Sequence, residues 1–175
     1  EFESTNMVTT LFKAKEYMTD DIIISYADII YSKEILEKLI SSTADFSVVV
    51  DKSWKKLWSQ RMDNPLDDAE TLKIKDGHIV ELGKKPSSYD EIEGQYIGLL
   101  KISKTMINKV IDYYENLDKG ATYDGKDFHN MYMTSFIQMM IDNLTTVTPV
   151  YIDGGWIEID CMDDLKSTIV QSKQL

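Results

Sequence analysis

Several residue types are scarce in this chain of 175 residues, and each scarcity excludes a class of protein. The single cysteine, Cys161, excludes an internal disulfide framework and favours a reducing compartment, so we expect a cytoplasmic protein. No apolar run approaches the roughly 20 residues that a membrane-spanning helix needs, and residues 1–20 are too polar for a signal peptide. With 3 prolines, 8 glycines and no Gly/Ser/Pro-rich linker, we predict a single domain over residues 1–175.

Positive charge is also in short supply. The chain has 19 basic and 30 acidic residues, which gives a formal net charge of -11 at pH 7. An acidic surface repels a phosphate backbone, and this argues against a nucleic-acid partner. A protein of this charge that handles phosphates needs local cations, such as Mg²⁺ or a few well-placed lysines. The hydrophobic fraction of 43% is typical of a globular domain with a packed core.

Alternating strand and helix patterns predict an α/β fold. Residues 22–24 (III) and 46–50 (FSVVV) are largely apolar runs, typical of strands that are buried on both faces. Residues 32–42 lie between them and have helical spacing of their apolar side chains. This β-α-β order predicts a parallel sheet covered by helices. Asp76-Gly77 predicts a hairpin turn, and further helices are predicted over 7–18, 103–117 and 128–144.

Carboxylates follow or lie within two of the predicted strands. Asp28 comes just after the carboxyl end of the strand at 22–24, where open parallel sheets bind ligands, although such an aspartate can also cap a helix. Glu158 and Asp160 alternate with Ile159, so both side chains face one side of a strand. Carboxylates from two strand ends can share a hard cation, and Mg²⁺ prefers such oxygen ligands.

Two further features have both a functional and a structural interpretation. Lys85 lies in a loop after a strand and could hold a phosphate as a point charge, or be a solvated surface lysine. Trp54 and Trp58 are four residues apart and can share one helical face. With Tyr89 or Tyr96 they could form an aromatic box for a quaternary ammonium group, or they could simply pack in the core.

Six short segments occur in a distinctive order along nearly the whole chain. They are residues 4–7 (STNM), 24–30 (ISYADII), 68–72 (DAETL), 83–86 (GKKP), 93–99 (EGQYIGL) and 155–160 (GWIEID). Their ordered spacing resembles the sugar-phosphate and phosphocholine nucleotidyltransferase family. The resemblance implies a mixed, mainly parallel sheet sandwiched by helices, which is the Rossmann-like fold of nucleotide-diphospho-sugar transferases.

The resemblance also implies an activity and a site. Enzymes of this family transfer a nucleotidyl group from CTP or another NTP to a phosphorylated acceptor and release pyrophosphate. By position, Asp28 and Asp160 are similar to the two metal-binding carboxylates, which hold Mg²⁺, and Glu158 is a possible helper. Lys85 is similar to the lysine that holds the acceptor phosphate. Glu93 and Gly94 fall where acceptor-contacting residues lie, which completes the implied site.

The residues around the two tryptophans favour one class of acceptor. Relatives use phosphocholine, aminoethylphosphonate, phosphorylated amino acids or sugar phosphates. Trp54 and Trp58 would suit a cationic amine, as would the nearby acids Asp63, Asp67, Asp68 and Glu70. We therefore expect a phosphorylated amine or amino acid rather than a neutral sugar. Products of such enzymes usually feed the synthesis of cell-surface polysaccharide and related decoration.

One family feature has no match in residues 1–175. Members begin with a strand and a Gly-x-Gly-x-Arg loop, whose backbone N–H groups cradle the NTP phosphates. We therefore expect that the chain starts inside the nucleotide-binding half and binds NTP poorly by itself. A homodimer is one way to cover the strand edge that this leaves. The alternative to an enzyme is a non-catalytic binding or regulatory module that keeps the fold without binding NTP.

Overall fold

Helices and strands alternate along the computed structural model, which describes residues 2–61 and 63–171. The helices are α1 (Met7–Lys13), α2 (Lys33–Ile40), α3 (Trp54–Arg61), α4 (Lys104–Glu115), α5 (Met133–Asn143) and α6 (Met162–Gln171). The longer strands are β1 (Ile22–Ser25), β3 (Phe46–Asp51), β4 (Leu72–Lys75), β5 (His78–Leu82), β6 (Gln95–Ile102) and β9 (Thr148–Ile152). The short strands are β2 (Ile29–Tyr31), β7 (Thr122–Tyr123), β8 (Lys126–Asp127) and β10 (Trp156–Glu158).

The central sheet has the strand order β1-β6-β3-β9. Strand β3 is parallel to β9, whereas β6 is antiparallel to both β1 and β3. Strands β1, β3 and β9 therefore run in one direction, and the prediction of a mixed, mainly parallel sheet is confirmed. The predicted β1-α2-β3 succession is present, but β6 lies between its two strands, so β1 and β3 are not hydrogen-bonded neighbours.

Strand β3 forms the middle of the core, and all of its residues are buried. Val48 and Val50 belong to one apolar cluster, which includes Phe12 of α1 and Phe136 of α5. Val49 points the other way, into a second cluster with residues of α2 and α3. Helices thus cover both faces of the sheet. Apolar side chains on both faces explain why this strand reads as a nearly continuous hydrophobic run.

A small second pairing joins distant parts of the chain. Strand β2 pairs antiparallel with β10, with Ile29 opposite Glu158. The N–H of Ile159 donates to the carbonyl oxygen of Asp28 at 2.9 Å, which extends this ladder. The residues that follow β1 therefore lie beside the residues of the C-terminal strand.

Local differences from the predicted elements concern mainly helix ends. The first helix ends at Lys13, and a short 3-10 helix follows over Lys15–Tyr17. The predicted helix over 128–144 is a 3-10 turn (Phe128–Asn130) followed by α5. The Asp76-Gly77 hairpin is confirmed, with positive φ at both residues. Among the residues described, no helix has the length and apolarity needed to cross a bilayer.

Candidate active site

Three carboxylates from the two ends of the chain converge beside the β2-β10 ladder. Asp28, Glu158 and Asp160 each place one carboxylate oxygen within 4.8 Å of the other two. Asp28 comes directly before β2, and Glu158 is the last residue of β10, so the backbone pairing sets their separation. The structure thus brings together the residues that the sequence patterns proposed as metal ligands. Oxygen atoms in this arrangement suit a hard divalent cation.

Arg61, the last residue of α3, reaches into the same cluster. Its guanidinium donates to Glu158 Oε2 at 2.8 Å and to Asp160 Oδ2 at 2.7 Å. It also donates through Nε to Asp164 Oδ1 at 3.0 Å and through Nη2 to Asp164 Oδ2 at 3.1 Å. We call these four residues the Arg61 clamp. The clamp fixes two of the three clustered carboxylates and ties α3 to the start of α6.

The clamp also sets the protonation of its acids. The hydrogen bonds from Arg61 hold the pKa of the Asp164 carboxyl well below its usual range. Burial raises the pKa of Glu158, against the opposing hydrogen bond from Arg61, and the nearby Asp160 and Asp28 raise it further. The single positive charge of Arg61 therefore does not balance the carboxylates around it. A divalent cation at the cluster would offset the remaining negative charge.

A cavity of about 190 Å³ opens next to this cluster, and Glu158 forms part of its wall. Trp58 and Trp156 line it too, with ring centroids 5.8 Å apart. Trp156 is anchored by Asp51 at the end of β3, whose Oδ2 accepts from the indole Nε1 at 2.9 Å. Asp51 is fully buried, and its Oδ1 also accepts from the N–H of Gly154 at 2.9 Å. The cavity wall is thus fixed to the central sheet.

A second cavity, of about 380 Å³, shares Tyr26 with the first as a lining residue. Asp28 and Thr10 line it, and Met7, Tyr26 and Met133 line both cavities. Gly98, with φ of +81°, makes room for Tyr26, because a Cβ there would lie 2.6 Å from its ring. The carboxylate cluster therefore faces two adjoining spaces, one beside Asp28 and one beside Glu158.

The predicted aromatic pair has two different environments. Trp54 and Trp58 are both buried and meet edge to face at 6.0 Å, so they share a helical face as predicted. Trp54 packs in the core and against Tyr89, and it is not among the lining residues of the 190 Å³ cavity. Trp58 lines that cavity, and its Nε1 donates to Asp68 Oδ2 at 3.1 Å. A role for either residue in acceptor binding stays a prediction.

The remaining predicted residues make contacts within the protein. The Lys85 ammonium donates to the carbonyl oxygen of Leu66 at 2.7 Å and to that of Asp67. Glu93 Oε1 accepts from the N–H of Ile74 at 2.8 Å. A Cβ at Gly94 would lie 2.4 Å from Val50 Cγ1, so close packing against β3 requires glycine there. None of these three residues lines either cavity, and their roles toward the acceptor stay predictions.

Arg61 and Tyr26 were not predicted as site residues. The partners of Arg61 lie 97 to 103 positions further along the chain, so no local spacing pattern could connect them. Burial raises the pKa of the Tyr26 phenol, and the charges of Glu70, Asp28 and Glu158 add to the shift. The only sequence signal for Tyr26 was its place in the ISYADII segment, two residues before Asp28.

Comparison with solved structures defines the class of fold. The inositol-1-phosphate CTP transferase from T. maritima superposes with a TM-score of 0.72 and 16% identity, over 96% of this chain and 61% of that one. A putative glucose-1-phosphate thymidylyltransferase from Bacillus anthracis gives 0.71 and 14%, over 98% and 63%. This chain spans less than two thirds of either structure. At these identities the likeness shows the fold alone, which is that of nucleotidyltransferases.

A curated relative adds sequence similarity to the shared fold. The CTP:phosphoglutamine cytidylyltransferase of Campylobacter jejuni subsp. jejuni serotype O:2 is 52% identical over 174 residues. The match covers 96% of this chain and 69% of the relative. The chain therefore belongs to the nucleotidyltransferase family, and the predicted resemblance is confirmed. No protein-family model matches the chain.

Proposed function

We propose that the chain transfers a cytidylyl group from CTP to a small phosphorylated amine or amino acid and releases pyrophosphate. The observation that carries this proposal is the convergence of Asp28, Glu158 and Asp160 beside a cavity of about 190 Å³. The name of the 52% identical relative supports CTP as donor and phosphoglutamine as an acceptor of the expected kind. The acidic and aromatic lining of the cavity favours an acceptor with a positively charged amine over a neutral sugar phosphate.

The proposed chemistry is an in-line displacement at phosphorus. An oxygen of the acceptor phosphate forms a bond to the α-phosphorus of CTP, and the bond from that phosphorus to the pyrophosphate oxygen breaks. The incoming oxygen is already ionised, so the protein needs to supply neither a nucleophile nor a general base. The protein then contributes by positioning the two anions and by stabilising the charge that develops between them.

We assign Mg²⁺ to the carboxylate cluster as the cation of this reaction. Asp28 and Asp160 would hold it, and Glu158 offers a third oxygen within 4.8 Å of theirs. An all-carboxylate donor set fits a hard cation better than a soft one. When bound, Mg²⁺ would supply positive charge that reduces repulsion between the two phosphorylated substrates. Arg61 fixes Glu158 and Asp160 in advance, which lowers the cost of assembling the site.

Asparagine substitutions at Asp28 and Asp160 test this function. We expect each to lower the rate of pyrophosphate release by two or more orders of magnitude, about 3 kcal/mol or more in activation free energy. The matched control is Asp163→Asn, since that carboxylate lies in the first turn of α6, three residues after Asp160, is 88% exposed and pairs with Lys166. Calorimetry with Mn²⁺ gives a second readout, in which Asp28→Asn should weaken binding and Asp163→Asn should not.

The assay uses the 175-residue chain and the same chain joined to the glycine-rich segment with which family members begin. CTP, UTP, GTP and ATP are each paired with phosphorylated amines, amino acids, choline and sugars. Near-normal turnover of the Asp28→Asn variant would refute the site. Absence of pyrophosphate with every pair would favour the non-catalytic module instead. The cytoplasmic location, the homodimer and the supply of cell-surface polysaccharide synthesis stay predictions.

A further inference from the structure

Asp164 lies at the centre of the Arg61 clamp. Both of its carboxylate oxygens accept from the guanidinium, Oδ1 from Nε at 3.0 Å and Oδ2 from Nη2 at 3.1 Å. Such a two-pronged contact fixes the plane of a guanidinium, because its N–H groups form a rigid fork. The side chains of Arg61 and Asp164 are only 12% and 13% exposed, so water competes little for these bonds. Asp164 therefore determines where the other N–H groups of Arg61 point.

Those other N–H groups of Arg61 point at two of the proposed cation ligands. Nη1 donates to Glu158 Oε2 at 2.8 Å, and Nη2 donates to Asp160 Oδ2 at 2.7 Å. Arg61 thus engages one oxygen of each ligand and leaves the second oxygen of each to a cation. Glu158 and Asp160 are two of the three carboxylates that place oxygens within 4.8 Å of one another. Their orientation is therefore set before a cation binds.

Asp164 also holds the backbone of a cation ligand. Its Oδ2 accepts from the N–H of Asp160 and from the N–H of Cys161, each at 3.1 Å. Helix α6 begins at Met162, so these bonds resemble one half of a capping box, in which an acid of the first turn bonds the N–H of the residue before the helix. A single carboxylate therefore positions the main chain of Asp160 directly and its side chain through Arg61.

We propose that Asp164 is a positioning residue of the cation site, acting through Arg61 and through the backbone of residues 160–161. This inference rests on the proposed function, in which Mg²⁺ binds the carboxylate cluster, and deepens it. The three residues of that cluster do not include Asp164 itself. An arginine alone beside a cation site would repel the cation, whereas the Arg61–Asp164 pair is neutral and can orient the ligands without that repulsion. Such outer hydrogen bonds orient the ligands of many metal sites.

Calorimetry with Mn²⁺ measures this role without turnover. Asp164→Asn should raise the Mn²⁺ dissociation constant of the 175-residue chain about 10- to 100-fold. Arg61→Lys keeps the positive charge but loses the fork of donors, so a similar rise would come from orientation and not from charge. The matched control is Asp163→Asn, which removes the same charge one residue away, where the carboxylate is 88% exposed and bonds Lys166. This control should change the dissociation constant by less than about twofold.

A double-mutant cycle tests whether the two residues act as one unit. If Asp164 works through Arg61, the variant with both Asp164→Asn and Arg61→Lys should bind Mn²⁺ within about twofold of the weaker single variant. Two independent effects would instead multiply. Urea unfolding shows beforehand that each variant is folded under the titration conditions. Arg61→Lys by itself keeps the test open if Asp164→Asn does not fold.

Pyrophosphate release provides a readout that a merely structural role would not change. In Asp164→Asn, the Mg²⁺ concentration for half-maximal release should rise by about the same factor as the Mn²⁺ dissociation constant, and the rate at saturating Mg²⁺ should approach that of wild type. A variant that is only less stable would lower the maximal rate at an unchanged Mg²⁺ requirement. That second pattern would overturn the positioning role.

The outcomes separate this inference from the function on which it rests. A Mn²⁺ dissociation constant of Asp164→Asn equal to that of Asp163→Asn would overturn the positioning role and leave cytidylyl transfer standing. A large rise for Asp164→Asn, without pyrophosphate release from any substrate pair, would support the positioning role and overturn the function. Multiplying effects in the double-mutant cycle would overturn the action of Asp164 through Arg61.

Discussion

Replacing Arg61 by alanine should destabilise the protein by about 3–4 kcal/mol at pH 7, the range expected when one partner of a largely buried ion pair is removed. The Arg61 side chain is 12% exposed, and its partners Asp164 and Glu158 are 13% and 23% exposed. Asp160 is 56% exposed, so its pair with Arg61 adds at most about 1 kcal/mol. Most of the loss therefore comes from leaving Asp164 and Glu158 desolvated without a cation.

The cost of this variant should depend on pH in a defined direction. Hydrogen bonds from Arg61 lower the pKa of Asp164 in the folded protein. A carboxyl with a lowered pKa adds stability above its unfolded pKa of about 3.9 and loses that stability as the pH falls through the folded value. The difference between wild type and Arg61→Ala should therefore shrink below about pH 4.

Urea unfolding followed by tryptophan fluorescence measures both effects. The matched control is Lys33→Ala, because Lys33 and Glu37 form an exposed i,i+4 pair at 2.8 Å on α2. This pair should be worth at most about 0.5 kcal/mol. Arg61→Lys keeps the charge but not the planar fork of donors, so its cost should be intermediate. A loss of less than about 1 kcal/mol for Arg61→Ala, close to that of Lys33→Ala, would show that the clamp behaves as a surface ion pair.

Two other predictions concern buried carboxylates. Burial raises the pKa of Glu70 to about 7 in the folded protein, from about 4.5 in the unfolded chain. Ionisation of Glu70 should therefore lower the free energy of unfolding as the pH rises from 4.5 to 7. The stability of Glu70→Gln relative to wild type should increase by about 3 kcal/mol between pH 4.5 and pH 8. A difference in urea midpoint between the two proteins that is the same at pH 4.5 and at pH 8 would contradict this. Asp51→Asn should destabilise the folded protein by about 2–3 kcal/mol, because the new amide N–H₂ group would face an N–H donor of Ser53, Gly154 or Trp156. An unchanged urea midpoint would show that these hydrogen bonds are dispensable.

Sequence patterns were sufficient where the evidence lay within one segment. The apolar run of β3 and the Asp-Gly turn of the β4-β5 hairpin are local signals, and both predictions are confirmed. Asp28 and Asp160 were paired through a general property of strand ends, aided by the family resemblance. The three-residue strand β2 was missed because so short a segment shows no periodicity. It is this strand that places Asp28 beside Glu158.

Other parts of the site depend on burial, which a single sequence does not show. Trp54 and Trp58 have the same spacing and residue type, yet only Trp58 lines the 190 Å³ cavity. Glu70 was one of four nearby acids in the sequence, and its desolvated position beside Thr134 distinguishes it only in three dimensions. The role of Arg61 likewise depends on partners about 100 positions away.

The β2-β10 ladder makes the proposed cation site a property of the whole folded chain. Its two strands are separated by more than a hundred residues, so the clustered carboxylates are far apart in any unfolded conformation. A cation that binds Asp28 and Asp160 together therefore binds the native state in preference to the unfolded one. By thermodynamic linkage, a cation at about ten times its dissociation constant should add about 1.4 kcal/mol to the free energy of unfolding. Occupancy of the site and resistance to unfolding would then rise together with cation concentration.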